Sequence, residues 1–291
     1  MNKLENNNLI IETKSHGAEL TRIYSKSTTQ EFLWNANNKY WARHSPILFP
    51  IVGRLKDNET YINNTLYNMN QHGFARDMNF NLINSDFNSL TYKLKSDDTT
   101  KNYYPYDFEL LIKYTIKNSS IHINWTVINK TDSEMYFSIG GHPAFNIPFN
   151  NIDKVDNYYL KFKSSNPVSS YKLDGPYVSS KSSINNLTDM SLSSDLFAND
   201  ALIYDNVDSV SICSKNSSTS IELKFNNFPF VGIWSPYYKE TNSIAPFICV
   251  EPWYGIADSI DSNKKYTSKL GINKLNKNEI FEASYEIKIN I

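Results

Sequence analysis

The chain has 291 residues and 33.6 kDa, with 29 Lys plus Arg set against 30 Asp plus Glu for a formal net charge of −1. That balance supplies no global field toward nucleic acid or an anionic membrane. A hydrophobic content of 40%, carried largely by 20 Tyr, 16 Phe and 5 Trp, suffices for a sizeable core and excludes disorder, collagen and disulfide-stapled minidomains.

The N-terminus, Met1-Asn2-Lys3-Leu4-Glu5, has no apolar stretch behind it, and no later run approaches ~18 apolar residues, so a cytoplasmic protein without membrane partners is expected. Residues 9–13 and 20–24 read as short strands flanking a turn at His16-Gly17. β-rich runs follow at 90–94, 108–116, 121–128, 158–163, 221–225, 230–235, 247–250 and 281–289. In 121–128 the odd positions are apolar and His122 and Asn124 face the other way, the signature of a half-buried strand. No window carries a helical stripe, and a turn or two near 193–197 is the most helix expected. Residues 164–194, rich in Ser and Asn with Gly175-Pro176, read as a long excursion within one domain. The expectation is an all-β, large antiparallel β-sandwich, residues 1–291 as a single domain.

Glycine and arginine are scarce and clustered. Of 9 Gly, five fall in four short blocks, and three of the four Arg (Arg43, Arg54, Arg76) lie within 34 residues. Those blocks are Phe49-Pro50-Ile51-Val52-Gly53-Arg54, Gln71-His72-Gly73-Phe74-Ala75-Arg76-Asp77, Gly140-Gly141-His142-Pro143-Ala144-Phe145 and Cys249-Val250-Glu251-Pro252-Trp253-Tyr254-Gly255.

His142, between two glycines and a proline, projects from a strand end, and imidazole is the side chain best able to pass a proton at neutral pH. His72, before Gly73, is similar, whereas His16, His44 and His122 read as surface or structural. Glu251 follows an apolar run and precedes Pro252-Trp253-Tyr254, where a carboxylate must be paired or used. His72, His142 and Glu251 lack the short spacings that zinc sites favour, and Cys213 and Cys249 stand in neither disulfide nor metal-ligand spacing. No cofactor motif occurs. Trp34, Trp41, Phe74, Phe145, Trp234, Trp253 and Tyr254 could stack on sugar rings, but individually each reads as core.

Taken in order, the four blocks resemble the aldose 1-epimerase (galactose mutarotase) family, in its shorter bacterial branch, over nearly the whole chain. Asn199-Asp200-Ala201-Leu202 falls where that family places a substrate-binding aspartate. The resemblance implies a galactose mutarotase-like supersandwich that interconverts sugar anomers without cofactor or metal. It implies Glu251 as base toward the anomeric hydroxyl, His142 as acid toward the ring oxygen, each on one side of the ring, with His72 and Arg54 on sugar hydroxyls and Asp200 on further ones. Two other classes stay open. A glycosidase would need two carboxylates flanking the bond, and a non-catalytic carbohydrate-binding protein would need only the aromatics. A neutral aldohexose is the expected substrate, against a hexose 6-phosphate held by Arg43, Arg54 and Arg76 with Lys56 nearby.

Overall fold

Alternation of apolar and polar residues organises the chain into strands from end to end. In the strand Ser120–Asn129 the residues Ile121, Ile123, Trp125 and Val127 are fully buried while His122 and Thr126 are half-buried on the other face. The computed structural model describes residues 1–150 and 153–291. Every named strand pairing in it is antiparallel.

Two large sheets dominate. A nine-stranded sheet runs from Met190–Ser191 through Tyr158–Lys163, Ser209–Ser214, Ser220–Lys224, Ile280–Asn290, Ser120–Asn129, Phe108–Lys117 and Ser89–Lys95 to Asn81–Ser85. An eight-stranded sheet contains, in order, Tyr177–Ile184, Val168–Asp174, Leu202–Asp205, Phe230–Trp234, Phe247–Tyr254, Ile139–Gly141 and Ile47–Leu48, with Ala144–Asn146 also paired to Phe247–Tyr254. One apolar cluster takes Ile112, Trp125, Leu223 and Ile287 from the first sheet and Val231, Ile233, Ile248 and Val250 from the second, so the two faces share a core. The all-β sandwich expected from the strand pattern is the observed fold, and a four-stranded sheet from Asn2–Glu5 to Gln30–Glu31 adds to it.

The Ser- and Asn-rich stretch differs from its expectation. Read from sequence as a long excursion with no strand assigned to it, it forms the hairpin Val168–Asp174 and Tyr177–Ile184, turning at Gly175-Pro176, at the edge of the eight-stranded sheet. Most of its outer strand is exposed, with Ser and Lys on both faces, so period-two alternation is absent where a reader of sequence looks for it. Helix is confined to short turns: the 3-10 turn Ser194–Phe197 lies where one is expected, whereas the 3-10 turns Lys56–Asn58, Ala75–Asp77, Val155–Asn157 and Tyr266–Ser268 and the capped helical turn Asp98–Lys101 lie outside that expectation.

Candidate functional site

The strand Phe247–Tyr254 runs on past Val250, where its apolar run ends, through Glu251, Pro252 and Trp253. Period two then decides everything: Ile248 and Val250 enter the core between the sheets, and Phe247, Cys249, Glu251 and Trp253 point to the opposite, concave face. Gly232 lies directly opposite Glu251 in the neighbouring strand. A side chain there would sit 2.3 Å from the Trp253 ring, so the missing Cβ is what makes room for the indole.

His142 occupies the gap between the strands Ile139–Gly141 and Ala144–Asn146, both of which pair with the Glu251 strand. Its backbone N–H donates to Pro46 O at 3.1 Å. Its Nε2 lies 3.2 Å from Glu251 Oε2. The Trp41 ring stacks on the imidazole with centroids 4.8 Å apart, and Trp234 and His72 meet it edge-on at 5.8 and 5.5 Å. His72 has a positive φ of 68°, a conformation a histidine holds only when its surroundings impose it. Here its N–H donates to Gly53 O at 2.8 Å, and its Nδ1 accepts from Gly53 N–H at 3.2 Å. Nδ1 is thereby the acceptor and Nε2 carries the proton.

A cavity of about 300 Å³ is lined by all five residues singled out from the sequence, Arg54, His72, His142, Asp200 and Glu251. Trp41, Gln71, Arg76, Trp234 and Trp253 also line it, as do Leu173 and Pro176 from the edge hairpin. Of the seven aromatics, three thus face the cavity, whereas Phe145 and Trp34 are core. Asp200 stands exposed at the rim with φ 75°, its Oδ1 accepting its neighbour Ala201's N–H at 2.8 Å. Leu173 and Pro176 left no readable signal in sequence beyond the Gly-Pro turn.

Charge in the cavity is distributed unevenly. Arg54 Nη2 donates to Gln71 Oε1 at 3.2 Å and Arg76 Nη2 to Gln71 O at 2.7 Å. Arg43 pairs with Asp77 at 2.9 Å, and Arg76 Nε stands 3.8 Å from the same carboxylate. Burial, together with the charge of Arg43, pulls Arg76 down to about 10. Burial first, then His142 and the three arginines, pushes His72 well below the usual imidazole range, so it is neutral. Burial, followed by the charges of Arg76 and Arg43, takes His142 down to about 3. Glu251 moves the opposite way: burial, reinforced by Asp200, raises it well above the carboxylate range.

His142 and Glu251 are in contact, and desolvation favours the neutral pair, carboxylic acid beside imidazole, over carboxylate and imidazolium.

Residues 1–273 match the aldose 1-epimerase family. Protein LacX, chromosomal, of Lactococcus lactis subsp. lactis is 31% identical over 306 aligned positions, covering 99% of this chain and 98% of the relative. Among solved structures, a galactose mutarotase related enzyme from Lactobacillus acidophilus superposes with a TM-score of 0.94 at 35% identity, covering 100% of this chain and 97% of that one. A galactose mutarotase-like protein from Lactobacillus casei ATCC 334 gives 0.92 at 27% identity over the whole of both chains.

Proposed function

The chain belongs to the aldose 1-epimerase family, and from that premise we propose that it interconverts the α and β anomers of an aldohexose by acid–base ring opening and reclosure. The observation that carries this reading is the buried contact of His142 and Glu251 at 3.2 Å on the floor of a cavity also lined by His72 and Arg54. The two oxygens that exchange protons, the anomeric hydroxyl and the ring oxygen, are bonded to one carbon. Two proton-transfer groups in mutual contact meet that edge of the sugar together.

The pair holds one proton in total. With the proton on His142, Glu251 takes the anomeric hydroxyl proton while His142 delivers one to the ring oxygen, and the C1–ring oxygen bond breaks to give the open aldehyde. The pair then holds its proton on Glu251, the neutral state that burial favours. From that state it recloses the ring after rotation about C1–C2, Glu251 returning a proton to the aldehyde oxygen and His142 accepting one from the hydroxyl. Stabilising the neutral pair therefore stabilises the enzyme form that accompanies the open-chain sugar. His72, with its proton on Nε2, and Arg54 donate to sugar hydroxyls, and Asp200 accepts from others at the rim. Trp41, Trp234 and Trp253 supply apolar faces. The reading takes residues 1–291 as one domain, working in the cytoplasm and requiring neither cofactor nor metal. Polarimetric or NMR measurement of anomer exchange over a panel of free sugars tests it; exchange at the uncatalysed rate throughout, with saturable sugar binding, would leave only a carbohydrate-binding protein.

A neutral sugar fits the offset of Arg43 and Arg76 by Asp77. A hexose 6-phosphate is favoured by a different observation: Arg54 and Arg76 both line the cavity, with the cation Arg43 close enough to depress Arg76. Comparing glucose with glucose 6-phosphate at low and high salt separates the two. A preference of tenfold or more for the phosphate, weakened by salt, would select the second.

A further inference from the structure

Behind two residues that line the cavity, His142 and Glu251, lies a fully buried donor, Cys249, that proton transfer does not use. One ligand atom each from His142, Cys249 and Glu251 lie within 4.8 Å of one another, and all three residues are buried. The strand geometry explains the grouping. Cys249 and Glu251 are two apart on one strand and share its concave face, while Ala144, two residues beyond His142, pairs directly with Cys249. His142 Nδ1 has no hydrogen-bond partner although its residue is only 6% exposed, and Glu251, 2% exposed, meets His142 Nε2 at 3.2 Å through Oε2. Sugar chemistry does not call for a thiol at this depth, where Cys249 packs among Trp34, Ala144, Ala245 and Phe247.

We propose that His142, Cys249 and Glu251 form a binding site for a thiophilic divalent cation such as Zn²⁺ or Cd²⁺, whose occupancy shuts the sugar site. The inhibitory consequence rests on the functional reading above; the cation site does not. Imidazole nitrogen, thiolate sulfur and carboxylate oxygen form a donor set that zinc takes at about 2.0–2.3 Å. The 3.2 Å between His142 and Glu251 already suits two ligands of a tetrahedral ion, and side-chain shifts of roughly 1 Å complete the triangle. Two of the three ligands, His142 and Glu251, line the cavity. Binding replaces the Cys249 thiol proton, and the proton held between His142 and Glu251, by the cation; both protons leave to solvent, with no change of oxidation state. The ion then occupies both groups that would handle the sugar's protons.

The test is a Cd²⁺ titration of the metal-free full chain, followed by thiolate-to-cadmium charge-transfer absorption. One Cd²⁺ per chain is expected, with the band kept in Cys213→Ala and lost in Cys249→Ala. Glu251→Gln should keep the band and bind Cd²⁺ at least tenfold more weakly. In parallel, Zn²⁺ should stop anomer exchange by the wild type, whereas Cys249→Ala should keep the metal-free rate and need at least tenfold more Zn²⁺. No band at millimolar Cd²⁺, a band surviving in Cys249→Ala, or unweakened binding by Glu251→Gln would each overturn the site. A chain that shows the Cys249-dependent band yet catalyses no anomer exchange keeps the cation site and loses the sugar reading.

Discussion

His142 Nε2 and Glu251 Oε2 meet at 3.2 Å although 109 residues separate them in the chain, and both are almost wholly removed from water. The contact is made by β-pairing: the short strands on either side of His142 both register against the strand that carries Glu251. Burial pushes the two in opposite directions, His142 down and Glu251 up, which favours the uncharged form of each.

Replacing Glu251 with Gln preserves the shape and removes the proton acceptor. Anomer exchange should fall by at least ~10²-fold, the usual scale for a general base, with the thermal transition little changed. Near-normal exchange by the pure variant, read by polarimetry, would remove Glu251 from the mechanism.

Gly232→Ala should fold less stably, because the new methyl would lie 2.3 Å from the Trp253 ring. A cost of about 1–3 kcal/mol is expected for overpacking of this kind. Because Trp253 also lines the cavity, exchange should slow in the same variant. Thermal melts and rates measured together decide it; a neutral outcome in both would show that the indole is free to move.

Lys269 and Asp258 form an ion pair at 3.2 Å in which both side chains are buried. Asp258 also accepts from Lys56 N–H at 2.8 Å and donates its own N–H to Arg54 O at 2.9 Å, tying the Arg54 segment to the chain that follows Glu251. Lys269→Met strands that carboxylate and should cost about 3–5 kcal/mol. Urea unfolding measures this; a loss below 1 kcal/mol would mean that Asp258 is satisfied without the ammonium.

Glu19 gives a pH dependence of stability. Burial alone would raise its pKa, but the His44 and Lys14 side chains beside it, with the charge of Lys14, outweigh it and bring Glu19 down to about 2. Its Oε1 also accepts the backbone N–H groups of His44 and Ser45 at 2.8 and 3.0 Å, next to Pro46, which receives His142's N–H. A depressed carboxylate contributes stability above its unfolded pKa of about 4.3, and that contribution is lost as pH falls through its folded value. Glu19→Gln should therefore destabilise by about 2 kcal/mol at pH 7, allowing for the partly solvated Lys14. The gap between variant and wild type should close between about pH 4 and 2. Denaturant titrations across that range check it, and a gap constant with pH would refute the assignment.

The sequence by itself determined the sandwich and the candidate residues. Alternation in stretches such as Ile121 to Ile128 marks which face is buried, because a strand's side chains repeat every two residues whatever its partners. The scarcity of Gly, Arg and His made their clustering visible around Arg54, His72, His142 and Glu251. What only the tertiary structure decided was contact and environment. The hairpin bearing Leu173 and Pro176 was illegible because an edge strand exposed on both faces needs no alternation. Trp41 was unplaced because its stacking on His142 joins segments about 100 residues apart. The protonation of the pair, and the meeting of Cys249 with His142 and Glu251, were likewise beyond reach, since desolvation and distance depend on which strands lie side by side, and pairing across the sheet has no local signature in the chain.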